Sequence, residues 1–480
     1  MRVGQTSAIQ FASQTLTSAG GFLATLYFAR VVGSNTLGVY FLLLSLHSWL
    51  SLLVNAGLSP AITKRMSEGG DRGGYFQVGL GFISVTIGVT TLLVVLFSSQ
   101  VTDYVSHPNT IYFLIFLISS GAAITTVRTG LQGTQSVHIS GILTSTQSIL
   151  RIVFQVGAVS LGLGLSGLVF GWVFSSLIIA IVGFLYLANI IKEFPKSNIK
   201  SIRKKARRLY SFAKYSWLGS LKSKTNNSAD VLILGFFVSS NLIGIYSIAW
   251  NIASFLTIMG SAIETTLFPE FSQLERNDNY TEISNLLEKS LQYTGIFTIP
   301  GLFGGLLLGD RILRLYGDDF VMGAEVLVLL ILSVLIYGYQ KQLTGVLQGI
   351  NRPDVDFKVN GTFILSNIIL NVVLIPLLGW RGAAIATVLA SSISLIHAYY
   401  VVNKILNVTV PFEEIGKQVG SSLVMTTIVF TFEIVESNQT IIGNNALVVL
   451  ILVFIGAIVY VTVLLLVSRD TRRTIFENLK

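Results

Sequence analysis

The chain has 480 residues, 52% of them hydrophobic and only 11% charged, with a formal net charge of +9. A soluble domain carries about 25% charged residues, so a water-facing globule is excluded and a lipid-embedded protein is implied. Cysteine is absent, which excludes disulfides and thiolate metal sites. The basic excess does not point to nucleic acid, because the Lys and Arg fall in segments between apolar runs, as the positive-inside rule requires.

Met1-Arg2 leads into Gln and Ser with no apolar run ending at a cleavage site, which predicts a retained first span rather than a cleaved signal. A spanning helix needs about 20 mostly apolar residues. Such stretches lie at 9–31, 39–62, 76–98, 110–130, 138–161, 166–191, 213–237, 243–267, 290–308, 324–348, 358–378, 382–403, 412–435 and 443–467. They predict an all-α integral membrane protein of about 14 transmembrane helices. The stretches at 9–31 and 213–237 are the most polar.

Charge asymmetry sets the orientation. With the N-terminus cytoplasmic, inside loops carry Lys64, Arg65, Arg72 and Arg128, then Lys192, Lys196, Lys200, Arg203, Lys204, Lys205, Arg207 and Arg208 in the longest one. Outside segments carry only Arg311, Arg314 and Arg381, plus Arg30 at a helix end. The expectation is a multi-pass protein of the cell (cytoplasmic) membrane with both termini cytoplasmic.

The chain also repeats itself. Val32-Gly33-Ser34-Asn35-Thr36-Leu37-Gly38-Val39-Tyr40 matches Val238-Ser239-Ser240-Asn241-Leu242-Ile243-Gly244-Ile245-Tyr246. Leu131-Gln132-Gly133 recurs as Leu347-Gln348-Gly349, and Gly164 and Gly167 recur as Gly379 and Gly382. Three matches at a common offset of about 210 residues predict parallel six-span repeats. The expected division is an N-terminal lobe at 1–191, a basic linker facing the cytoplasm and lipid headgroups at 192–212, a C-terminal lobe at 213–405, and two further spans with a tail at 406–480.

A charge at the centre of a spanning helix costs about 2.5–3.5 kcal/mol on insertion scales, so it needs a partner, water or a function. The seventh stretch concentrates such residues: Lys222, Asn226 and Asp230 stand at i, i+4 and i+8 on one helix face, with Asn227 in the same arc and Lys224 beside it. The stripe is read either as an internal Lys–Asp pair that fixes packing or as the wall of a water-filled cavity, and both can hold at once. Arg151, mid-way along the fifth stretch, is too deep to snorkel and is read equally as a substrate contact or an interhelical bond. Polar residues of the first stretch (Gln5, Gln10, Ser13, Gln14, Thr15, Thr17, Ser18) suit either sugar hydroxyls or close helix packing. His47 and His397, single histidines on apolar helices, are read as hydrogen-bonded packing residues ahead of a role in proton coupling.

Taken together, the hairpin residues Arg30, Gly33, Gly38 and Tyr40, the run Asn55-Ala56-Gly57-Leu58 followed by Thr63-Lys64-Arg65-Met66-Ser67-Glu68, and Asp230 with Leu234-Gly235 and Gly244-Ile245-Tyr246 resemble the polysaccharide-biosynthesis flippases of the multidrug/oligosaccharidyl-lipid/polysaccharide exporter superfamily. The resemblance covers essentially the whole chain. It implies two six-helix lobes in a V around a central cavity, plus two C-terminal helices that offer a groove for a lipid tail. It implies a flippase that moves a polyprenyl or dolichyl phosphate- or pyrophosphate-linked oligosaccharide by alternating access, functional as a monomer, with Na⁺ or H⁺ as the coupling ion. Lys222, Lys224, Arg151, Asn226, Asp230 and Arg30 are the expected substrate-binding residues, because cations replace the counter-ions and hydration of the lipid phosphate.

The sequence holds no Gly-x-x-x-x-Gly-Lys-Ser/Thr stretch, no metal-ligand spacing and no nucleophile elbow, so no cofactor, metal or catalytic residue is expected. A cation-coupled multidrug exporter of the same fold is the nearest alternative, but it needs cavity carboxylates and the first lobe has no central Asp or Glu. A membrane polymerase or glycosyltransferase would need a sizeable outside loop. The longest here, near 309–323, holds Asp310, Arg311, Arg314, Asp318 and Asp319.

Overall fold

A computed structural model describes residues 3–69, 71–191, 199–439, 443–469 and 472; the side chains of 3–19, 199–200, 215, 217–228, 259, 262, 265 and 437–439 fall outside that description. The described residues form α-helices and one short 3₁₀ turn, with no strand among them. In chain order the helices are α1 (Val3–Asn55), α2 (Leu58–Ser67), α3 (Arg72–Leu96), α4 (Ser98–Val105), α5 (Thr110–Gly133), α6 (Val137–Ser160), α7 (Gly164–Ile191), α8 (Ile199–Leu234), α9 (Ser240–Phe255), α10 (Thr257–Arg276), α11 (Tyr280–Arg314), α12 (Ala324–Gly349), α13 (Pro353–Leu378), α14 (Trp380–Leu406), α15 (Phe412–Gln439) and α16 (Asn445–Val467).

The protein is an all-α membrane protein. Among the described residues, 11 helices are long and apolar enough to cross a membrane. The difference from the fourteen predicted stretches has local causes. α1 has 53 residues, about 80 Å at 1.5 Å per residue, and so carries the stretch at 9–31 and most of that at 39–62, whose end falls on α2. α1 is broken at Gly33 (φ 76°, ψ 171°), a conformation that costs glycine little and other residues much. The stretch at 213–237 lies on the polar α8, and that at 243–267 is divided between α9, with 16 residues, and α10.

By contacts the chain forms two compact units, Met1–Gly244 and Ile245–Lys480. In the first, α5 buries Phe113, Leu114, Leu117, Ile118 and Leu131 and packs on α1, α2, α3 and α7. The repeated motif supplies its tightest contact. A Cβ on Gly38 would overlap the carbonyl oxygen of Ser240, and a Cβ on Gly244 would overlap that of Ser34. Ser34 and Ser240 are equivalent in the two motif copies, as are Gly38 and Gly244, so the contact is reciprocal. Ser34 Oγ also donates to Asn241 Oδ1.

The basic stretch expected as a linker at 192–212 is helical from Ile199 onward, continuous with the rest of α8. The physical reason is a docking face: Lys205, Leu209 and Ala213 stand at i, i+4 and i+8 and are all buried. Lys205 Nζ pairs with Asp71, and α8 packs on α1, α2 and α3. Likewise the outside loop expected near 309–323 is reduced, because α11 continues to Arg314 and a 3₁₀ turn spans Asp318–Gly323.

In the second unit, Phe271, Ile283, Leu287, Leu343, Val346, Val359 and Val402 form an apolar core shared by α10 to α14. α15 and α16 lie against α11 through Leu308, Met425, Val429, Leu452 and Leu464. Polar bonds fix that contact. Arg311 pairs with Glu433 (2.8 Å) and Glu436 (3.1 Å), and Gln418 Nε2 donates to the Gln292 carbonyl at 2.7 Å. The remaining faces expose Leu447, Leu450, Phe454 and Leu466 on α16, as a lipid-facing helix does.

Replacing Gly38 or Gly244 by Ala forces a methyl group into a backbone carbonyl. Overpacking of this kind costs about 1–3 kcal/mol, and a rigid backbone neighbour puts these sites at the upper end. Each variant should melt at a lower temperature in detergent than wild type. Gly88→Ala, whose Cβ would meet nothing within 4 Å, should not. Equal melting of all three would show that the reciprocal contact is absent.

Candidate functional site

A cavity of about 420 Å³ opens inside the first unit, lined by His47, Asn55, Arg128, Gln147, Trp172 and Ser176 among others. The residues come from α1, α5, α6 and α7. Helix spacing puts them there. Gln147, Arg151 and Gln155 are four residues apart on α6, so they share one face.

That face is a chain of polar contacts. Arg128 Nη2 donates to Gln147 Oε1 at 3.1 Å, and Gln147 Nε2 donates to Ser176 Oγ at 3.1 Å. One turn further, the Arg151 guanidinium lies over the Trp172 ring, 4.7 Å from its centroid. Such a contact contributes about 0.5–2 kcal/mol. A turn beyond, Gln155 Nε2 donates to Tyr40 Oη at 2.8 Å and to the Leu168 carbonyl at 2.7 Å. Two glycines make room: a Cβ on Gly121 would meet the His47 ring at 2.7 Å, and one on Gly171 would meet Gln155 at 2.6 Å.

The electrostatics of this site are one-sided. Among the described residues, neither Arg128 nor Arg151 forms an ion pair with a carboxylate, and no Asp or Glu lines the cavity. Arg128 Nε is buried with no hydrogen-bond partner among the described residues. Two cations of the second unit are handled differently. Lys341 pairs with Glu264 at 2.9 Å and bonds Ser261 Oγ at 2.9 Å, while Arg311 holds two glutamates.

The sequence-predicted residues are distributed as follows. Arg151 is on α6, stacked on a cavity-wall residue rather than lining the cavity itself. Arg30 is exposed on α1, and Asp230 is half-buried on α8. The side chains of Lys222, Lys224 and Asn226, like those of the polar residues at 5–18, lie outside the described residues. Arg128 lies inside the stretch predicted at 110–130 although it is counted among the inside-loop charges, and α5 carries it about one and a half turns before its end at Gly133. The signal was present in Thr125-Thr126-Val127-Arg128-Thr129, which contains no turn-forming residue. His397 is bonded to Thr362 Oγ1 at 2.8 Å.

Residues 3–275 match the family model described as polysaccharide biosynthesis protein, more than half of the chain. The chain belongs to that family. Residues 225–373 also match the MatE model. Over 483 aligned residues the chain is 33% identical to the probable flippase AglR of Haloferax volcanii, covering 100% of this chain and 98% of the relative. It is 28% identical to the probable low-salt glycan biosynthesis flippase Agl15 of the same organism, covering 95% and 94%. Its fold matches that of the lipid II flippase MurJ in an inward closed conformation, with a TM-score of 0.79 at 18% identity over 97% of this chain and 99% of that one. An inward-facing multidrug resistance MATE family transporter matches with a TM-score of 0.65 at 13% identity over 82% and 94%. As a member of this family the chain is a membrane transporter rather than an enzyme.

Gln147 holds both Arg128 and Ser176, so Gln147→Leu removes two bonds and leaves a buried cation without its neighbour. A loss of about 1–3 kcal/mol is expected, read as a lower melting temperature in detergent. Melting equal to that of wild type would mean that the Arg128–Gln147–Ser176 chain does not form.

Proposed function

We propose that the protein is a flippase that carries a lipid-linked oligosaccharide, joined through phosphate or pyrophosphate to a polyprenyl or dolichyl carrier, across the cell membrane. The observation that carries this reading is a pair of arginines at a polar cavity with no described carboxylate to neutralise them. The names of the relatives, a probable flippase, a probable low-salt glycan biosynthesis flippase and a lipid II flippase, support it.

The chemistry follows from what the substrate needs. Its sugar is polar and its phosphate anionic, and both must pass a hydrocarbon layer about 30 Å thick. Guanidinium presents five N–H donors in a fixed fork that matches phosphate oxygens. Arg128 has one of these on Gln147 and offers its buried Nε. Arg151 adds charge one turn from Gln147. Asn55, Gln147 and Ser176 on the same walls suit sugar hydroxyls. Lys222, Lys224, Asn226 and Asp230 of α8, with Arg30, extend the binding surface in this proposal. The site is exposed alternately to the two sides, in a chain that crosses the membrane fourteen times with both termini cytoplasmic.

The match to the MatE model favours a second reading, a multidrug exporter. A cationic drug needs an anionic site, however, and the described cavity lining carries no carboxylate.

Purified protein in liposomes should move a fluorescent polyprenyl-phosphate sugar to the opposite leaflet without nucleotide. A charge-assisted hydrogen bond contributes about 1.5–3 kcal/mol, so Arg128→Gln should slow flipping by about 10- to 100-fold, and Arg128→Lys by less. Gln147→Glu should melt at a higher temperature, because it gives Arg128 a counter-ion, and yet flip more slowly. Wild-type flipping by folded Arg128→Gln protein would overturn the assignment of this cavity.

A further inference from the structure

The first turns of α8 carry a second concentration of positive charge, away from the cavity. Lys205, Leu209 and Ala213 fill the docking side of this segment. Arg203, Lys204 and Arg207 are exposed on the opposite arc, since helical residues advance by 100° each. None of the three forms an ion pair with a described carboxylate. Tyr210, 67% exposed, stands at the edge of the arc.

Its depth is fixed by its anchors. Lys205 pairs with Asp71, the N-cap of α3, whose carboxylate also accepts from Gly74 N at 2.7 Å. Arg208 Nη1 donates to Tyr75 Oη at 3.2 Å, and Lys64 of α2 lies 4.6 Å from the Phe212 ring centroid. α3, which begins at Arg72, is long and apolar enough to cross a membrane. The basic arc is docked beside the first turn of that helix, where a span of this length meets the headgroup layer. The anchor is durable: burial raises the Asp71 carboxyl, but the Lys205 bond, the Gly74 N–H and the Lys205 charge outweigh it and hold the group below the usual carboxylate range. The Asp71 carboxylate is ionised at neutral pH, and its bond to Lys205 weakens as pH falls through that lowered value.

We propose that the exposed face of α8 at Arg203, Lys204 and Arg207 binds the headgroups of anionic membrane phospholipids. Charge complementarity selects the occupant. The arc is cationic and held rigidly at headgroup level, and the layer it meets there carries phosphate. Lipid headgroups at that level attract each Lys or Arg with a free energy comparable to a single surface contact, and a docked helix has lost its ordering entropy before lipid arrives. A loose linker would have to be ordered by the lipid. Because α8 continues unbroken to Leu234, lipid bound here also braces the helix that carries the polar stripe at 222–230.

The test reads lipid directly and does not depend on what the protein transports. The full chain is placed in nanodiscs holding equal amounts of phosphatidylglycerol and phosphatidylcholine, and the lipids it retains are counted by native mass spectrometry. Wild type should retain phosphatidylglycerol in preference. The preference should fall by about fivefold for each charge removed in R203Q/K204Q/R207Q, and persist in R203K/R207K. A triple variant that retains phosphatidylglycerol as wild type does would overturn the proposal. Should that variant fail to fold, the absence of native cysteine provides a second reading on an intact arc. Bimane on Ser211→Cys should be quenched more by spin-labelled phosphatidylglycerol than by the matching phosphatidylcholine. Equal quenching would overturn the proposal as well.

Discussion

A guanidinium placed within a membrane protein must be solvated by something. Left alone in low dielectric it costs several kcal/mol even after relaxation, and a folded helix bundle tolerates that only by supplying a carboxylate, a dipole, a π-face or access to a polar ligand. The protein uses each device in a different place. Lys341 and Arg311 receive carboxylates. Arg151 receives the Trp172 face, and Arg128 receives the amide of Gln147 and the wall of a polar cavity. A neutral dipole and a π-face stabilise a cation without cancelling its charge. An anion can therefore still be drawn to this region, whereas at Lys341 it would have to displace Glu264.

The fold serves this arrangement through close approach of helices. Gly171 lets α7 reach Gln155 on α6, and Gly121 lets α5 reach His47 on α1, so the polar stripe of α6 meets its partners at hydrogen-bond distance. The reciprocal contact of Gly38 with Ser240 and Gly244 with Ser34 fixes the equivalent turns of the two motif copies against each other. In the second unit the same economy appears as an ion-pair clasp. α15 and α16 present one apolar seam to α11, and Arg311 closes one end of it by holding Glu433 and Glu436 while Asn445 Nδ2 donates to the Arg311 carbonyl at 3.0 Å.

Much of this was legible in the amino-acid order. Most predicted apolar stretches fall on one helix each, because a run of about 20 apolar residues has few other stable forms, while those at 39–62 and 243–267 are each divided between two helices. The repeat was visible through the glycines of Val32–Tyr40 and Val238–Tyr246, residues that the packing requires. Arg151 stands out in the sequence by its position mid-way along an apolar stretch, but its aromatic partner twenty-one residues away on α7 cannot be read from spacing along one helix. Arg128 falls near the end of the predicted stretch at 110–130, where a charge is readily counted with the loop that follows, and only the structure places it at a polar cavity. The basic composition of 192–212 points to a linker. Only the burial of Lys205, Leu209 and Ala213 reveals the part from Ile199 onward as the docked start of α8.

The measurement that tests the account most directly is an experimental structure of the full chain with a short-chain polyprenyl phosphate sugar, determined in nanodiscs. The account predicts phosphate density within hydrogen-bond distance of the Arg128 guanidinium, with the sugar against Gln147 and Asn55. Phosphate bound elsewhere, with Arg128 paired to a carboxylate, would contradict it.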